Sequence, residues 1–526
     1  MKVLVSDPVS EEGLAILRAD PEMEVVVQTG MKPEELIAAI PEFEGLVVRS
    51  ETKVTASVIE AAANLEVIAR AGVGVDNIDI PAATRRGVVV VNSPFGNTMA
   101  AAEHTLALLM AMSRNVPQAH NSLSGGEWKR SKFMGVELYE KVLGIIGLGK
   151  IGSEVARRAQ AFGMEVIADD PFISPELAQR MNVRLVPLKE LLEQSDFITL
   201  HLPYKKGDPA VLGKSELAAT KDGVRIINVA RGGVVDETAL AEALKSGKVA
   251  GAAIDVFSEE PPKDCPLIGM ENVIVTPHLG ASTEEAQVKV AVDVCEQVLD
   301  VLHGRPARSA VNMPAVRLEV LLELQPYLLL SEKMGKMHAA LSQGPISEVE
   351  VEYSGEVFER EMGPVTYALL KGVLQPVLEE QVNLVNARMV AESRGIRVVE
   401  SKSSTTEDYP TLITVKVKSK GGERLIAGTL FGHREPRIVR IDDYRVDFPP
   451  EGLLMLTMHH DLPGTIGKVG TILGSHGVNI AGMHVGRAHR GGRAVMALAV
   501  DDPIPAEVLA EVRKVPGMEE PRLVEL

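Results

Sequence analysis

Residues 147–152 read Gly-Leu-Gly-Lys-Ile-Gly and follow the apolar run Val142-Leu143-Gly144-Ile145-Ile146 without a spacer. Few short patterns restrict a fold more. Between a strand and a helix, the first glycine permits a tight turn, the second lets a ligand approach the backbone, and the third allows close helix–strand packing. Together they make the βαβ geometry that holds a dinucleotide pyrophosphate. The helix beginning at Lys150 supplies free N–H groups and the positive end of its dipole to the phosphates. The next predicted strand, over 165–168, stops just short of Asp170, where a carboxylate can accept hydrogen bonds from ribose hydroxyls. Asp170 would repel a 2′-phosphate, and Pro171-Phe172-Ile173-Ser174 offers no arginine to bind one. NAD, rather than NADP, is the expected cofactor.

Short apolar runs alternate with helix-length segments on both sides of this motif. Strands are predicted over 2–6, 24–28, 45–49, 66–69 and 88–91 before it, and over 184–186, 197–200, 225–229, 251–256 and 273–276 after it. Such nearly all-apolar strands indicate an α/β architecture of two doubly wound parallel sheets, Rossmann or flavodoxin-like, covered by helices on both faces. A buried helix over 100–115 joins them, and a long helix over 284–303 is followed by stop and linker signals at Gly304-Arg305-Pro306 and Asn312-Met313-Pro314. Beyond these the pattern becomes α+β, with strands over 348–353, 412–417 and 425–430, a hairpin turn at Lys420-Gly421-Gly422 and a helical stretch over 365–393. The Pro/Gly-rich joint Phe448-Pro449-Pro450-Glu451-Gly452 sets off a last unit. The expected plan is a substrate-binding domain built from 1–98 and 282–312 around a nucleotide domain at 99–281, then an intervening domain at 317–448 and a terminal domain at 452–526.

A chain of 526 residues exceeds one core, since single cores stop growing near ~250–300 residues. Its net charge of −17 argues against nucleic acid or an anionic membrane as partner, both of which need a basic surface. An anionic substrate would therefore require a local concentration of cations. Cys265 and Cys295 lack metal-ligand spacing, so no metal is expected and a reducing compartment fits. No apolar run approaches the ~18 residues that cross a bilayer, and the first residues carry no signal-peptide pattern. A cytoplasmic protein is expected.

Arg231, Glu260 and His278 each follow an apolar predicted strand. In doubly wound sheets the carboxyl ends of strands line the ligand crevice, so the three can converge. Singly, each has an ordinary reading: a surface cap, a turn carboxylate, a solvated loop histidine. Together, after a dinucleotide fingerprint, they match what the reduction of a 2-keto acid needs. His278 would give or take the proton. Glu260 would hold the ring by its other nitrogen, and the planar fork of Arg231 would hold the substrate carboxylate and polarise the carbonyl.

The stretches Asn228-Val229-Ala230-Arg231-Gly232-Gly233-Val234-Val235-Asp236, Asp255-Val256-Phe257-Ser258-Glu259-Glu260-Pro261 and Pro277-His278-Leu279-Gly280-Ala281-Ser282-Thr283, with the glycine motif, resemble the D-isomer-specific 2-hydroxyacid dehydrogenases. The resemblance implies Arg231, Glu260 and His278 as the catalytic set. It also implies cofactor contacts from Val73, Gly147, Gly149, Lys150, Ile151, Gly152, Asp170, Val229, Ala230, Asp255, His278, Gly280 and Ala281. Arg70-Ala71-Gly72-Val73-Gly74-Val75-Asp76-Asn77, and Gly126-Glu127-Trp128-Lys129-Arg130 with Phe133-Met134-Gly135, are similar to the branch acting on D-3-phosphoglycerate. That branch implies substrate contacts from Arg49, Arg70, Ala71 and Gly72, and a loop at 129–132 reaching a neighbouring subunit of a homotetramer or homodimer. Its substrate carries roughly three negative charges near neutral pH, so a cationic cluster is required.

The run from Leu453 through His459-His460-Asp461-Leu462-Pro463-Gly464 to Val469, with Gly477-Val478-Asn479-Ile480-Ala481, resembles an ACT module, a βαββαβ unit that binds amino acids. Residues 317–448 resemble the intervening domain of that branch's long members. The implied function is NAD-dependent oxidation of 3-phosphoglycerate to 3-phosphohydroxypyruvate on the way to L-serine, with L-serine as an inhibitor bound by His459, Asp461 and Asn479. Arg434, Arg437, Arg440 and Arg445 read equally as an anion site or a solvated strand face. Two alternatives stay open: a reductase of hydroxypyruvate, glyoxylate or 2-oxoglutarate, and an NADH-sensing binding protein.

Overall fold

The strand that feeds the glycine motif, Val142–Ile146, lies inside a seven-stranded parallel sheet. The computed structural model describes residues 1–204, 207–314, 318–355, 362–378, 381–404, 408–432, 434–519 and 521–526. Arg317, where the third unit was expected to begin, lies outside them. The strand order is Val273–Val275, Val249–Ile254, Val224–Asn228, Phe197–Leu200, Val142–Ile146, Glu165–Asp169, Arg184–Leu185. Its direction of winding reverses between Phe197–Leu200 and Val142–Ile146, and ligands of such sheets bind outside the carboxyl ends of the strands at that point.

A five-stranded parallel sheet precedes it, in the order Glu24–Val27, Lys2–Val5, Gly45–Val48, Val67–Arg70, Val89–Asn92. The helix Glu284–Leu302 returns to this first sheet, burying Val290, Val294 and Val298 against Val3, Val5 and Val47. The helix Thr98–Ser113 covers the second sheet, with Leu106, Leu109 and Met112 packed on Leu143 and Ile145. Nearly apolar all round, it fits a helix buried on most sides.

The third unit is a six-stranded mixed sheet in the order Arg397–Ser403, Ile346–Ser354, Leu412–Ser419, Gly422–Phe431, Glu435–Ile441, Tyr444–Phe448. The helical stretch expected over 365–393 is two helices, Gly363–Leu374 and Ala387–Ser393. Pro376 stands in the break, where its missing N–H and fixed φ end a helix. The last unit has four antiparallel strands in the order Ile480–Arg487, Arg493–Val500, Leu453–His460, Arg522–Glu525, with helices Thr465–Ser475 and Ala506–Arg513 between them in the chain.

The joint at 448–452 separates these two units less than the sequence implied. Leu454, Leu456, Met458, Val495 and Ala497 share one core with Leu330, Met334 and Phe448 of the third unit. Met455, Met496 and Leu498 face the other way, onto Val469, Leu473 and Val508 of the last unit's own helices. Successive residues of a strand point to opposite faces, so this sheet is covered on both. The third unit also touches the first: the Asn383 side chain donates to the Gly87 carbonyl at 2.7 Å and that of Asn386 to Arg85 at 3.4 Å. Among the described residues, no helix is long and apolar enough to cross a membrane.

Candidate active site

Gly147 turns the chain with φ +93°, and a Cβ added to Gly152 would lie 2.2 Å from the Gly147 carbonyl oxygen, so only hydrogen fits there. A Cβ on Gly149 would meet nothing within 4 Å. The first and third glycines serve the protein's own packing, while the second leaves its face open to a ligand. The helix Lys150–Ala161 begins at this point. Asp170 is fixed beside the loop, accepting from the Leu148 N–H through one oxygen and from Phe172 N–H through the other, both at 2.8 Å. Lys150 sits over the Phe95 ring, and Ile151 packs partly buried on the core. Val229 and Ala230 are buried. A Cβ on Gly280 would come within 2.9 Å of Val229, so the segment of Gly280 and half-buried Ala281 closes against them. This loop, with an open second glycine at a helix N-terminus and a carboxylate beside it, fits a dinucleotide.

The loops after Val224–Asn228, Val249–Ile254 and Val273–Val275 carry Arg231, Glu260 and His278 to the carboxyl edge of three adjacent strands. His278 Nδ1 stands 2.7 Å from one Glu260 oxygen, and the Phe257 N–H donates to the other at 3.1 Å. Burial pushes the Glu260 carboxyl up, but the hydrogen bond and charge of His278, with the Phe257 N–H, outweigh it and hold the group below the usual carboxylate range. Glu260 is thus an anion at neutral pH. With Nδ1 engaged, Nε2 is the nitrogen left for a substrate, and the His278 side chain is 47% exposed. The Arg231 turn is braced by Asn228, whose side chain donates to the Arg231 carbonyl at 2.9 Å and accepts from Ala230 N–H at 3.0 Å. A Cβ on Gly232 would fall 1.8 Å from the Phe257 carbonyl oxygen, so the Arg231 turn rests directly on the segment leading to Glu260.

Arg70 ends the strand Val67–Arg70 and is largely buried, its Nε without a partner among the described residues. Burial, then the neighbouring charge of Arg231, with that of Arg49, draws its guanidinium pKa down to about 10. Arg49 donates its N–H to buried Asp7 at 2.6 Å and its guanidinium to Pro8 O at 3.2 Å. A Cβ on Gly72 would lie 1.8 Å from Arg70 Nη1, and one on Gly74 2.8 Å from Arg231 Nη2. These glycines let the loop from buried Ala71 through Val73 lie directly on both guanidiniums, while Asn92 holds it by donating to the Val73 carbonyl at 2.5 Å.

The structure adds detail at three further places. Asp255, expected beside the cofactor, is 0% exposed. Its carboxylate accepts from Thr276 Oγ1 and from the N–H groups of Leu279 and Gly280 at 2.6, 2.7 and 2.9 Å, and lies 3.2 Å from His104 Nε2. Sequence reasoning missed His104, whose only signal was an imidazole inside an apolar helix. The effector residues do not converge within one chain. Leu453–His460 and Ile480–Arg487 run parallel on either side of Arg493–Val500, so Asp461, after one, and Asn479, before the other, stand at opposite ends of the sheet. Asp461 accepts from Arg487 at 2.6 Å, Asn479 donates to Asp501 at 2.6 Å, and His459 is buried with its Nδ1 unpartnered. Lastly, Arg437, Arg440 and Arg445 face carboxylates of Asp447, Asp443 and Asp408 at 3.6, 3.9 and 2.8 Å, which favours a charged strand face over an anion site.

Comparison with known proteins follows the same division of the chain. The family described as D-isomer specific 2-hydroxyacid dehydrogenase, NAD binding domain, matches residues 106–280. The D-3-phosphoglycerate dehydrogenase intervening domain matches 323–442, and the ACT domain matches 453–517. A D-3-phosphoglycerate dehydrogenase of Archaeoglobus fulgidus is 49% identical over 529 aligned residues, covering 100% of both chains. That of Bacillus subtilis is 43% identical, covering 100% of this chain and 99% of its own. The crystal structure of the TT0316 protein from Thermus thermophilus superposes with a TM-score of 0.55 at 36% identity, over 59% of this chain and 100% of that one. D-lactate dehydrogenase from Aquifex aeolicus, solved with NAD and lactic acid, gives a TM-score of 0.52 at 27% identity, over 58% of this chain and 96% of its own.

Proposed function

The chain belongs to the D-3-phosphoglycerate dehydrogenases of the D-isomer-specific 2-hydroxyacid dehydrogenase family, and from that membership we propose that it oxidises D-3-phosphoglycerate to 3-phosphohydroxypyruvate on the way to L-serine. The observation that carries the substrate is the gathering of Arg49, Arg70 and Arg231 about one loop, whose Gly72 and Gly74 leave room only for the Arg70 and Arg231 guanidiniums, with Asp76 3.8 Å from Arg231 as the nearby counter-charge. Like charges held together by the fold are relieved by an anion that bridges them, and a phosphate and a carboxylate on one small molecule supply that anion.

Gly147–Gly152 and Asp170 would hold NAD, which when bound supplies the two-electron acceptor. His278 Nε2 takes the hydroxyl proton in oxidation and returns it to the carbonyl oxygen in reduction. Glu260, at Nδ1, sets the tautomer and balances the imidazolium charge. Arg231 holds the carboxylate by its fork, and Arg49 with Arg70 takes the phosphate. In this reading 1–98 with 282–312 bind substrate, 99–281 bind NAD, and 317–448 with 452–526 regulate. The exposed Trp128 and Met134, at 76% and 83%, support a homotetramer or homodimer in which the loop at 129–132 meets a second copy, and a cytoplasmic location belongs to the same proposal. L-Serine is the proposed inhibitor. The buried Nδ1 of His459, without a partner among the described residues, supports a polar ligand in the last unit, and because Asp461 and Asn479 lie apart, a site using both takes them from two chains. Steady-state reduction of 3-phosphohydroxypyruvate, hydroxypyruvate, glyoxylate and 2-oxoglutarate with NADH, with and without L-serine, tests the reading. It predicts the phosphorylated substrate first by a wide margin and inhibition by serine; preference for an unphosphorylated acid would reject it.

A further inference from the structure

The segment that carries His278 is pinned by one residue, through both its backbone and its side chain. Asp255 takes the His278 N–H on its backbone carbonyl at 2.9 Å, and its carboxylate takes Thr276 Oγ1, Leu279 N–H and Gly280 N–H. Four attachments fall within residues 276–280, around a histidine held at φ +55°, where a side chain persists only if its surroundings fix it. The other donor to this carboxylate comes from a different part of the chain. His104, on the helix Thr98–Ser113, places Nε2 3.2 Å from Asp255 Oδ1 and 3.3 Å from Thr276 Oγ1. The Thr276 hydroxyl spends its hydrogen on Asp255 and keeps lone pairs to accept. One Nε2–H can therefore bridge both acceptors.

We propose that His104 is a positioning residue for the reaction: through Asp255 and Thr276 it locks the segment bearing His278 to the helix at the crossing between the two parallel sheets. Burial alone would raise the Asp255 carboxyl; the hydrogen bonds from His104, Thr276 and Leu279 overcome it and keep the group an anion, so all its oxygens remain acceptors for that segment. Without His104 the carboxylate keeps its donors at 276, 279 and 280 but loses its tie to the helix Thr98–Ser113, so the segment that aims His278 can shift as a unit against that helix. His104 itself touches neither substrate nor His278. Its removal should act on the chemical step and leave cofactor affinity nearly intact.

This inference rests on His278 as the proton-transfer group, so His278→Asn is measured beside it. With 3-phosphohydroxypyruvate and NADH, His104→Leu should lower kcat by about 10²-fold, as small misplacements of a reacting group do. The NADH dissociation constant and the unfolding midpoint should change little. The primary isotope effect with deuterated NADH should rise as hydride transfer becomes slower. His104→Gln, which keeps a donor near the Nε2 position, should recover most of the loss. Wild-type kcat in His104→Leu overturns the proposal, and so does an equal loss in Leu and Gln variants with a lowered midpoint, which marks a packing role. Normal turnover in His278→Asn would remove the underlying reading and the inference with it.

Discussion

His278 and Glu260 act as a pair set by a 2.7 Å contact, and the pair makes two predictions. His278→Ala should lower turnover by about 10²–10⁴-fold, the usual worth of a positioned acid or base, with NADH affinity little changed in a fluorescence titration. Glu260→Gln removes an anion that stays charged at neutral pH because its pKa is held down. Since that anion favours the protonated ring, the pH limb below which reduction runs should move toward lower pH in the variant; an unmoved limb with an unchanged rate removes Glu260 from this role. The arginines make a third prediction. Arg49→Ala should raise KM for 3-phosphohydroxypyruvate by about 10- to 10²-fold, as loss of a charge-assisted hydrogen bond does, and leave KM for hydroxypyruvate near its wild-type value. An equal effect on both substrates would place Arg49 away from the phosphate.

At the scale of the element, two glycines of one turn should fail differently. Gly149→Ala meets no atom of the described residues within 4 Å, so its unfolding midpoint should match wild type while NADH binding is lost. Gly152→Ala forces a Cβ to 2.2 Å from a backbone oxygen and should destabilise the folded chain by about 1–3 kcal/mol, as overpacking does. Thermal unfolding with and without NADH separates the two, and identical behaviour would mean the turn is not shaped by its ligand. The parallel strands, the glycine turn and the residues at the strand ends were legible because local pattern and chemistry agree there. Strand limits moved by a residue, as at Val67–Arg70 and Val224–Asn228, because terminal hydrogen bonds depend on neighbouring strands that no local window contains. The hydrogen bonds around Asp255 were not legible for a related reason: its donors at 104, 276, 279 and 280 come together only in three dimensions. Leu453-Leu454-Met455-Leu456 carried an unread signal. A strand apolar at consecutive positions is buried on both faces, which is why the last two units share a core.

The whole molecule carries a net charge of −17 yet concentrates three arginines at one loop, so the field that attracts an anionic substrate is local and not global. Its regulatory half is joined to the first sheet through Asn383 at Gly87, a turn that leads into Val89–Asn92 and so to the Val73 loop. If serine acts through this body, inhibition is a coupling free energy of about 1–3 kcal/mol and must be reciprocal. Substrate or NADH should weaken serine binding by the factor by which serine weakens theirs. Asp461→Ala, which also frees Arg487, should abolish inhibition and leave turnover without serine intact; equal serine sensitivity in variant and wild type would make the last unit structural. The catalytic site is proposed to be built for a phosphorylated 2-hydroxy acid. The most direct test is kcat/KM for 3-phosphohydroxypyruvate against hydroxypyruvate in the wild-type enzyme with NADH. A site whose clustered, partly buried cations expect a phosphate should prefer the first by about 10³-fold or more, and equal kcat/KM for the two would show that the cluster does not read the phosphate.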